Sequence, residues 1–552
     1  MRKGIVVWIV FLVCTTVSMA QQNNEIQWAW SNTYGNGNAN SIANHLEVDD
    51  SSNMYIAGVF RGELIVQTDT IYGNPNEDRV FVAKFDSLGT LQWIRKIDWG
   101  YYVNQIRLDS DNDLRVLCNA GVMIVYNGMN GVPITYYGVP NSISDSNSAT
   151  PFGVVIDFKL DAADNVYFLS RFEDMNTFET SSYVAVFASP NDTISGLIWE
   201  DYINIGFMGP AGPGGLALDD GNNVYVTGTT DFAVLSLVGV DVVSTPQPGV
   251  ELFAVKYNTQ GDAIWLTTDE MGFAEVMATE VNTVDSSLYI SGYTVIDEVF
   301  FGDTLLLDST NQQQIYLMKF DLEGNNEWAK AFPLETKSLK NFVGASWGAM
   351  GTDIQLSDSG YVYLKGSFTG SIIFYNDTLV EDTSSVIVGS ISDDAFIAKL
   401  DQNGNPIWGK YAGNQGGQGL ETGDFYVDAA QDVLYLVGYW AAPNNLFKMA
   451  TPTNSVKNIF LGKEGEPSSV SVEEISAEGI TLLVYPNPST GVYHVSKPPN
   501  TGSFEYSVID IQGNLVLSGA LIKNMESIDL TDMSNGMYFL KTELGSMKML
   551  KQ

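Results

Sequence analysis

"LALDDGNNVYVTG", residues 216–228, decides the fold. An apolar stretch runs into Asp219, a polar turn follows, and a second apolar stretch carrying Tyr225 leads away, which is the pattern of a tight β-hairpin. The pattern recurs at "LEVDDSSNMYIAG" (46–58), "IRLDSDNDLRVLCNAG" (106–121), "FKLDAADNVYFLS" (158–170), "VNTVDSSLYISG" (281–292), "IQLSDSGYVYLKG" (354–366) and "YVDAAQDVLYLVG" (426–438). Seven copies from Tyr55 to Tyr435 give a mean period of about 63 residues.

A second hairpin follows most copies: an alternating strand, a turn with Gly, and a strand bearing Trp. It reads "FVAKFDSLGTLQW" (81–93), "FAVKYNTQGDAIW" (253–265), "YLMKFDLEGNNEW" (316–328) and "FIAKLDQNGNPIW" (396–408), with degenerate forms at 122–134 and 183–199. Each unit thus supplies four strands, and the alternation leaves little room for helix. The chain is predicted to be all-β: a seven-bladed β-propeller over 21–461, followed by a small Ig-like β-sandwich. A period longer than the 40 to 50 residues usual for propeller repeats implies long connections on one face, and Gly-rich segments such as 34–40, 204–215 and 411–423 fit that role. The seventh unit has a third strand at "NLFKM" (445–449) but no Trp strand, since Trp440 is the last Trp. The orphan "EIQWAW" (25–30) is expected to close the ring, with "SVKNIF" (455–460) as its rival. On these motifs the middle resembles the bacterial β-propeller repeats of cell-surface proteins, a likeness that implies architecture and no particular activity.

Residues 1–20 combine Arg2 and Lys3, an apolar run to Val13 and the small-residue pattern before Gln21, so a secretory signal peptide cleaved between Ala20 and Gln21 is expected. No other stretch reaches the length of a membrane span. Beyond the leader only Cys118 remains, so packing must supply stability, and a monomer is expected. The net charge of −38 is concentrated in the middle and repels nucleic acid.

The C-terminal stretch 482–552 differs from the rest. Pro486, Asn487 and Pro488 with Gly491, the turn ending at Gly513, Asp529 before Gly536 and Tyr538, and a basic tail with Lys548 and Lys551 resemble the type A C-terminal sorting domain of the type IX secretion system. That resemblance implies an Ig-like sandwich that engages the secretion machinery, takes its cargo across the outer membrane and is then removed. The acidic, Ser-rich segment 462–481 is expected to be the linker where cleavage falls.

Chemistry is sparsely signalled. His45 and His494 are the only histidines, so neither a Ser-His-Asp site nor a zinc centre is expected, and no catalytic residue or cofactor is assigned. Asp109, Asp111 and Asp113 have the alternate spacing of a Ca2+ loop but lack its Gly and distal Glu. Trp99, Tyr101 and Tyr102, Tyr136 and Tyr137, and Trp347 sit in segments read as inter-blade connections. They are the candidate ligand-binding residues, for a glycan or a protein, unless they pack between blades. Two functions of different class follow: a non-catalytic binding or adhesion module, and a carbohydrate-active enzyme using carboxylates that the sequence does not locate.

Overall fold

The computed structural model describes residues 28–551 with gaps, the longest at 139–151, 336–352, 381–393 and 442–456. The signal peptide with Ala20 and Gln21, Trp347, the strand at 445–449, Pro486, Asn487, Pro488 and Gly513 lie outside the described residues.

Every regular element among the described residues is a strand. The turn that starts each unit explains the repeated Asp and Tyr. Asp219 accepts the backbone N–H of Gly221 and of Asn223, both at 2.9 Å, on one oxygen, and the Tyr225 hydroxyl at 3.0 Å on the other. The same carboxylate–phenol contact ties Asp49 to Tyr55 and Asp161 to Tyr167. In the second unit the fully buried Arg115 replaces the Tyr and holds Asp109 at 3.2 Å. These bonds offset the cost, about 1 kcal/mol or more, of the left-handed residue that each turn contains: Ser52, Asn112, Asp164, Asn222, Ser286, Gly360 and Asp432.

Antiparallel sheets follow one another along the chain, beginning at Ser41–Val48, Val103–Leu108, Phe152–Leu160, Gly212–Leu218, Ala274–Asn282, Asp353–Leu356 and Leu420–Asp428; all have four strands except the fifth, which a hairpin extends to six. These first strands touch in that order, and the last touches the first again. The Trp of the outer strand docks on the next sheet. Trp93 Nε1 donates to the Gly128 carbonyl at 3.2 Å, and Trp265 Nε1 to that of Leu322 at 3.0 Å. Gly131 needs its bare Cα there, because a Cβ would come within 2.5 Å of the Trp93 ring.

The seventh sheet is completed from the other end of the chain. Trp28–Tyr34 pairs antiparallel with Lys457–Glu464, so the N-terminal segment supplies the outer strand and the segment considered as its rival supplies the third. Tyr34 takes the role of the docking Trp: it is buried, stacks on Phe85 at 5.2 Å and reaches the Gly89 carbonyl in the turn of the first sheet.

The extra length of the units takes a form that the sequence reading did not expect. Hairpins are inserted between the second and third strands of the first, fourth, fifth and sixth sheets: Glu63–Val66 with Asp69–Tyr72, Val234–Leu237 with Val240–Ser244, Phe300–Phe301 with Thr304–Leu305, and Ser371–Phe374 with Asp377–Val380. Each lies against the outer strand of its own sheet and that of the preceding one; the last even pairs with it, Leu334 opposite Ile372. They are rim staples that cover sheet edges. In the second and third sheets no hairpin is inserted between the second and third strands among the described residues, so there the outer strand of the second sheet, Pro133–Gly138, has no staple from its own sheet or from the next.

Of the segment expected to be a linker, residues 462–464 extend the third strand of the seventh sheet, and Glu473–Ala477 pairs with Ile480–Tyr485. The C-terminal unit has two four-stranded sheets around a common core, with Val484, Tyr493 and Ile528 from one and Val508, Leu540 and Met549 from the other.

Candidate functional site

Six of the seven first strands carry a β-bulge at the same place, at Asn44, Asn104, Ile156, Gly214, Met277 and Gly423. A bulge inserts a residue and re-aims its neighbours. Here the residues after it line a cavity of about 450 Å³ at the centre of the ring. One tier contains His45, Gln105, Asp157, Asp353 and Asp424; two residues further on, a second contains Glu47, Arg107, Lys159 and Glu280. Gly214, Gly215 and Ala278 leave one wall without bulky side chains.

The charges form a connected set. Arg107 bridges Glu47 at 3.0 Å and Asp157 at 3.2 Å, and Lys159 holds Glu280 at 2.7 Å. Lys365 donates to the Gly423 carbonyl at 2.8 Å and stands 3.9 Å from Asp353. Asp424 accepts the backbone N–H of Leu46 and of Phe425. Burial, opposed by Arg107 and reinforced by the charge of Asp424, pushes the Glu47 carboxyl up to about 7. Burial likewise lifts Asp353 to about 6 against the pull of Lys365. His45 is pushed down to about 4 by burial, and its Nε2 must be the donor to the Val103 carbonyl at 3.0 Å. With that nitrogen spent on the backbone, His45 is a structural imidazole.

A stability signature follows. Glu47 binds its proton more tightly in the folded chain, so its contribution is present below the unfolded carboxyl range and is lost as pH rises through about 7. His45 acts in the opposite sense, its contribution being lost as pH falls through about 4. Glu47→Gln, whose surroundings of Arg107, Asp424 and Lys159 are unchanged, removes the first effect alone. The melting temperature of this variant relative to the natural chain should therefore rise from pH 5 to about pH 7 and level off above it; a constant difference would show that Glu47 is not shifted.

The aromatic candidates divide. Trp99, Tyr101, Tyr102 and Tyr136 are all exposed, between 46% and 62%. Trp99 and Tyr136 are brought together, their rings 4.8 Å apart. Tyr101 and Tyr102 are presented by a fixed loop, both backbone N–H groups pointing at Asn119 Oδ1. Tyr136 and Tyr137 belong to the outer strand Pro133–Gly138 rather than to a connection, and Tyr137 packs against the core between the second and third sheets. Of the exposed four, Trp99 and Tyr136 thus form a pair at the outer strand of the second sheet, and Tyr101 and Tyr102 stand on the adjoining loop. Asp109 spends one oxygen on the N–H groups of Asp111 and Asp113 and the other on Arg115. Asp113 accepts from Gly128 N–H, so these carboxylates hold the turn. Among the described residues no group of three His, Cys, Asp or Glu is arranged to hold a metal ion. Cys118 is buried and its thiol is pushed up to about 12, as a small core side chain's would be.

Comparison with known proteins bears first on the C-terminal unit. Residues 483–552 match the family described as the secretion system C-terminal sorting domain. The chain is therefore exported by type IX secretion to the cell surface or the extracellular space, and it meets the secretion machinery through this unit. No described helix is long and apolar enough to cross a membrane. An uncharacterised WD repeat-containing protein of Acanthamoeba polyphaga mimivirus is 22% identical over 393 residues, 65% of this chain and 26% of that protein, so the chain spans about a quarter of that relative. Two solved structures are similar in fold: a catalytically inactive virginiamycin B lyase from Staphylococcus aureus with quinupristin (TM-score 0.36, 10% identity, 78% of this chain and 99% of that one) and the β-propeller domain of Myceliophteria thermophila Cps50 (Swd1) (TM-score 0.36, 9% identity, 78% and 98%).

Proposed function

We propose that this chain is an exported seven-bladed β-propeller with an Ig-like sorting sandwich, made with a signal peptide over residues 1–20, and that it works as a non-catalytic binding or adhesion module for glycans. The observation that carries the reading is the exposed pair of Trp99 and Tyr136, one from the loop before Val103–Leu108 and one from the outer strand Pro133–Gly138, with Tyr101 and Tyr102 exposed on the same loop. Exposed, preorganised aromatic rings offer flat apolar faces for sugar rings at little entropic cost. Changing Trp99 and Tyr136 together to Ala should weaken binding on a glycan array by roughly 30-fold or more, the effect of losing a hot-spot pair. The melting temperature should stay within a few degrees, because neither ring is buried. A large fall in melting temperature, or unchanged binding, would end this assignment.

One observation favours a second reading, a carbohydrate-active enzyme: the cavity holds carboxyls at about 7 and about 6, Glu47 and Asp353, suited to proton transfer near neutral pH. Release of reducing sugar from the same glycans by the natural chain, lost in Asp353→Asn, would replace binding with turnover.

A further inference from the structure

Four of the sorting residues, Gly491, Asp529, Tyr538 and Lys551, meet at one turn of the C-terminal unit. Strand Met525–Asp529 leads into residues 530–534 before Gly536–Thr542 begins. Lys551 ends the last strand, Gly545–Lys551, and is only 7% exposed. Its ammonium donates to the Thr531 carbonyl at 2.9 Å and to the Met533 carbonyl. Tyr538 donates its hydroxyl to the Ser534 carbonyl at 2.7 Å. From the other sheet, the Gly491 carbonyl accepts the Leu530 N–H at 2.7 Å, and a Cβ on Gly491 would stand 2.7 Å from Thr531 Cα. Asp529 closes the start of the turn by accepting the Thr531 N–H, and these Thr531 bonds hold its carboxyl below the usual range.

Two consequences follow. First, Lys551 cannot act as the exposed end of a basic tail, because its charge is enclosed by carbonyls; a receptor reading tail charge would not reach it. Second, residues far apart in sequence draw three carbonyls of one turn inward, while Thr531, Met533 and Ser534 stay exposed, Met533 at 39%. A buried ammonium is costly unless its hydrogen bonds are satisfied, and here they are satisfied by fixing this turn.

We propose that the type IX machinery engages the sorting unit at the turn bearing Thr531, Met533 and Ser534, with Met533 as the apolar contact and the Ser534 hydroxyl beside it, while the Thr531 hydroxyl is held by Asp529, and that Lys551, Tyr538 and Gly491 are positioning residues for that turn. The partner surface that fits is a shallow apolar pocket with hydrogen-bonding groups on its rim. The assignment rests on the sorting domain and is independent of what the propeller binds.

The test uses the full chain expressed in a type IX-secreting host. Met533→Glu puts a charge into the apolar contact and should cut export by about tenfold or more, with protein accumulating in the periplasm and the melting curve of the purified chain unchanged. Ile522→Glu and Leu515→Glu, at apolar positions 70% and 63% exposed elsewhere on the unit, should be exported normally. Lys551→Met should speed amide exchange at 531–534 and reduce export, and Lys551→Arg should restore part of both. Normal export of Met533→Glu, or equal failure of the Ile522 and Leu515 variants, would overturn the surface. Fast exchange at the turn with normal export in Lys551→Met would overturn the positioning role. Should Lys551→Met fail to fold, Met533→Glu decides alone.

Discussion

Removing residues 28–34 is expected to lower the melting temperature of the propeller steeply or to drive it into aggregates. The deletion takes away the outer strand of the seventh sheet, leaving the ladder groups of Lys457–Glu464 as an open edge. It also removes Tyr34, whose burial against Phe85, Leu64 and Val66 couples the last sheet to the first. Truncating one large buried aromatic to Ala costs about 3–5 kcal/mol, a sizeable part of the 5–15 kcal/mol that holds a typical domain. Tyr34→Ala alone should therefore give a clear fraction of the effect, and Tyr34→Phe, which keeps the buried ring and loses the hydroxyl's contacts to the Gly89 carbonyl, Gln67 and Asn32, a smaller one. Calorimetry on the three variants orders them; an unchanged transition in the deletion would mean that the strand pairing does not hold the ring.

Deleting residues 483–552 is expected to abolish appearance of the protein outside the cell while leaving the propeller folded in the periplasm. The two sheets of the C-terminal unit share a core of their own, built without propeller residues, so their loss exposes no propeller core. Fractionation and immunoblotting measure the outcome, and normal levels in the medium or on the surface would contradict type IX export. Because the point variant Met533→Glu leaves the unit folded, the two experiments separate loss of the domain from loss of its contact surface.

Much of the architecture could be read from the chain because its determinants are local. The Asp219-type turn needs its carboxylate, a left-handed residue and a Tyr six positions on, and all three are visible within the single copies at 46–58, 158–170 and 216–228. Trp docking was legible for the same reason. The rim staples were missed: "GELIVQTDTIYG" and its counterparts are short and differ in sequence, and what they share is a place against two outer strands that only the assembled ring provides. Tyr34 was missed because its function is defined by a sheet formed from the far end of the chain. The central cavity was also missed, yet a signal existed. Aligned on the turn residue, the positions two and four before it read Glu47 and His45, Arg107 and Gln105, Lys159 and Asp157, then Glu280, Asp353 and Asp424, polar where a buried strand should be apolar. Charges at a period of two on strands that are otherwise core mark a polar cavity along the axis. The exposed aromatics were legible as residues, but the pairing of Trp99 with Tyr136 depends on the strand Pro133–Gly138 lying beside the loop that carries Trp99.

The closing strand also fixes an order of events in time. Trp28 sits opposite Glu464, so nearly the whole propeller must be synthesised before its first strand can find a partner. At bacterial elongation rates this is a wait on the order of a minute. Until then the newborn protein is a curved stack of sheets with two mismatched ends, each able to pair with a neighbouring molecule. Long-range pairing of this kind makes folding slow, and the same remoteness protects the finished product. Once the ends are joined, fraying at either one is opposed by the other, and a ring clasped across its whole length opens only by cooperative loss of sheets one and seven together.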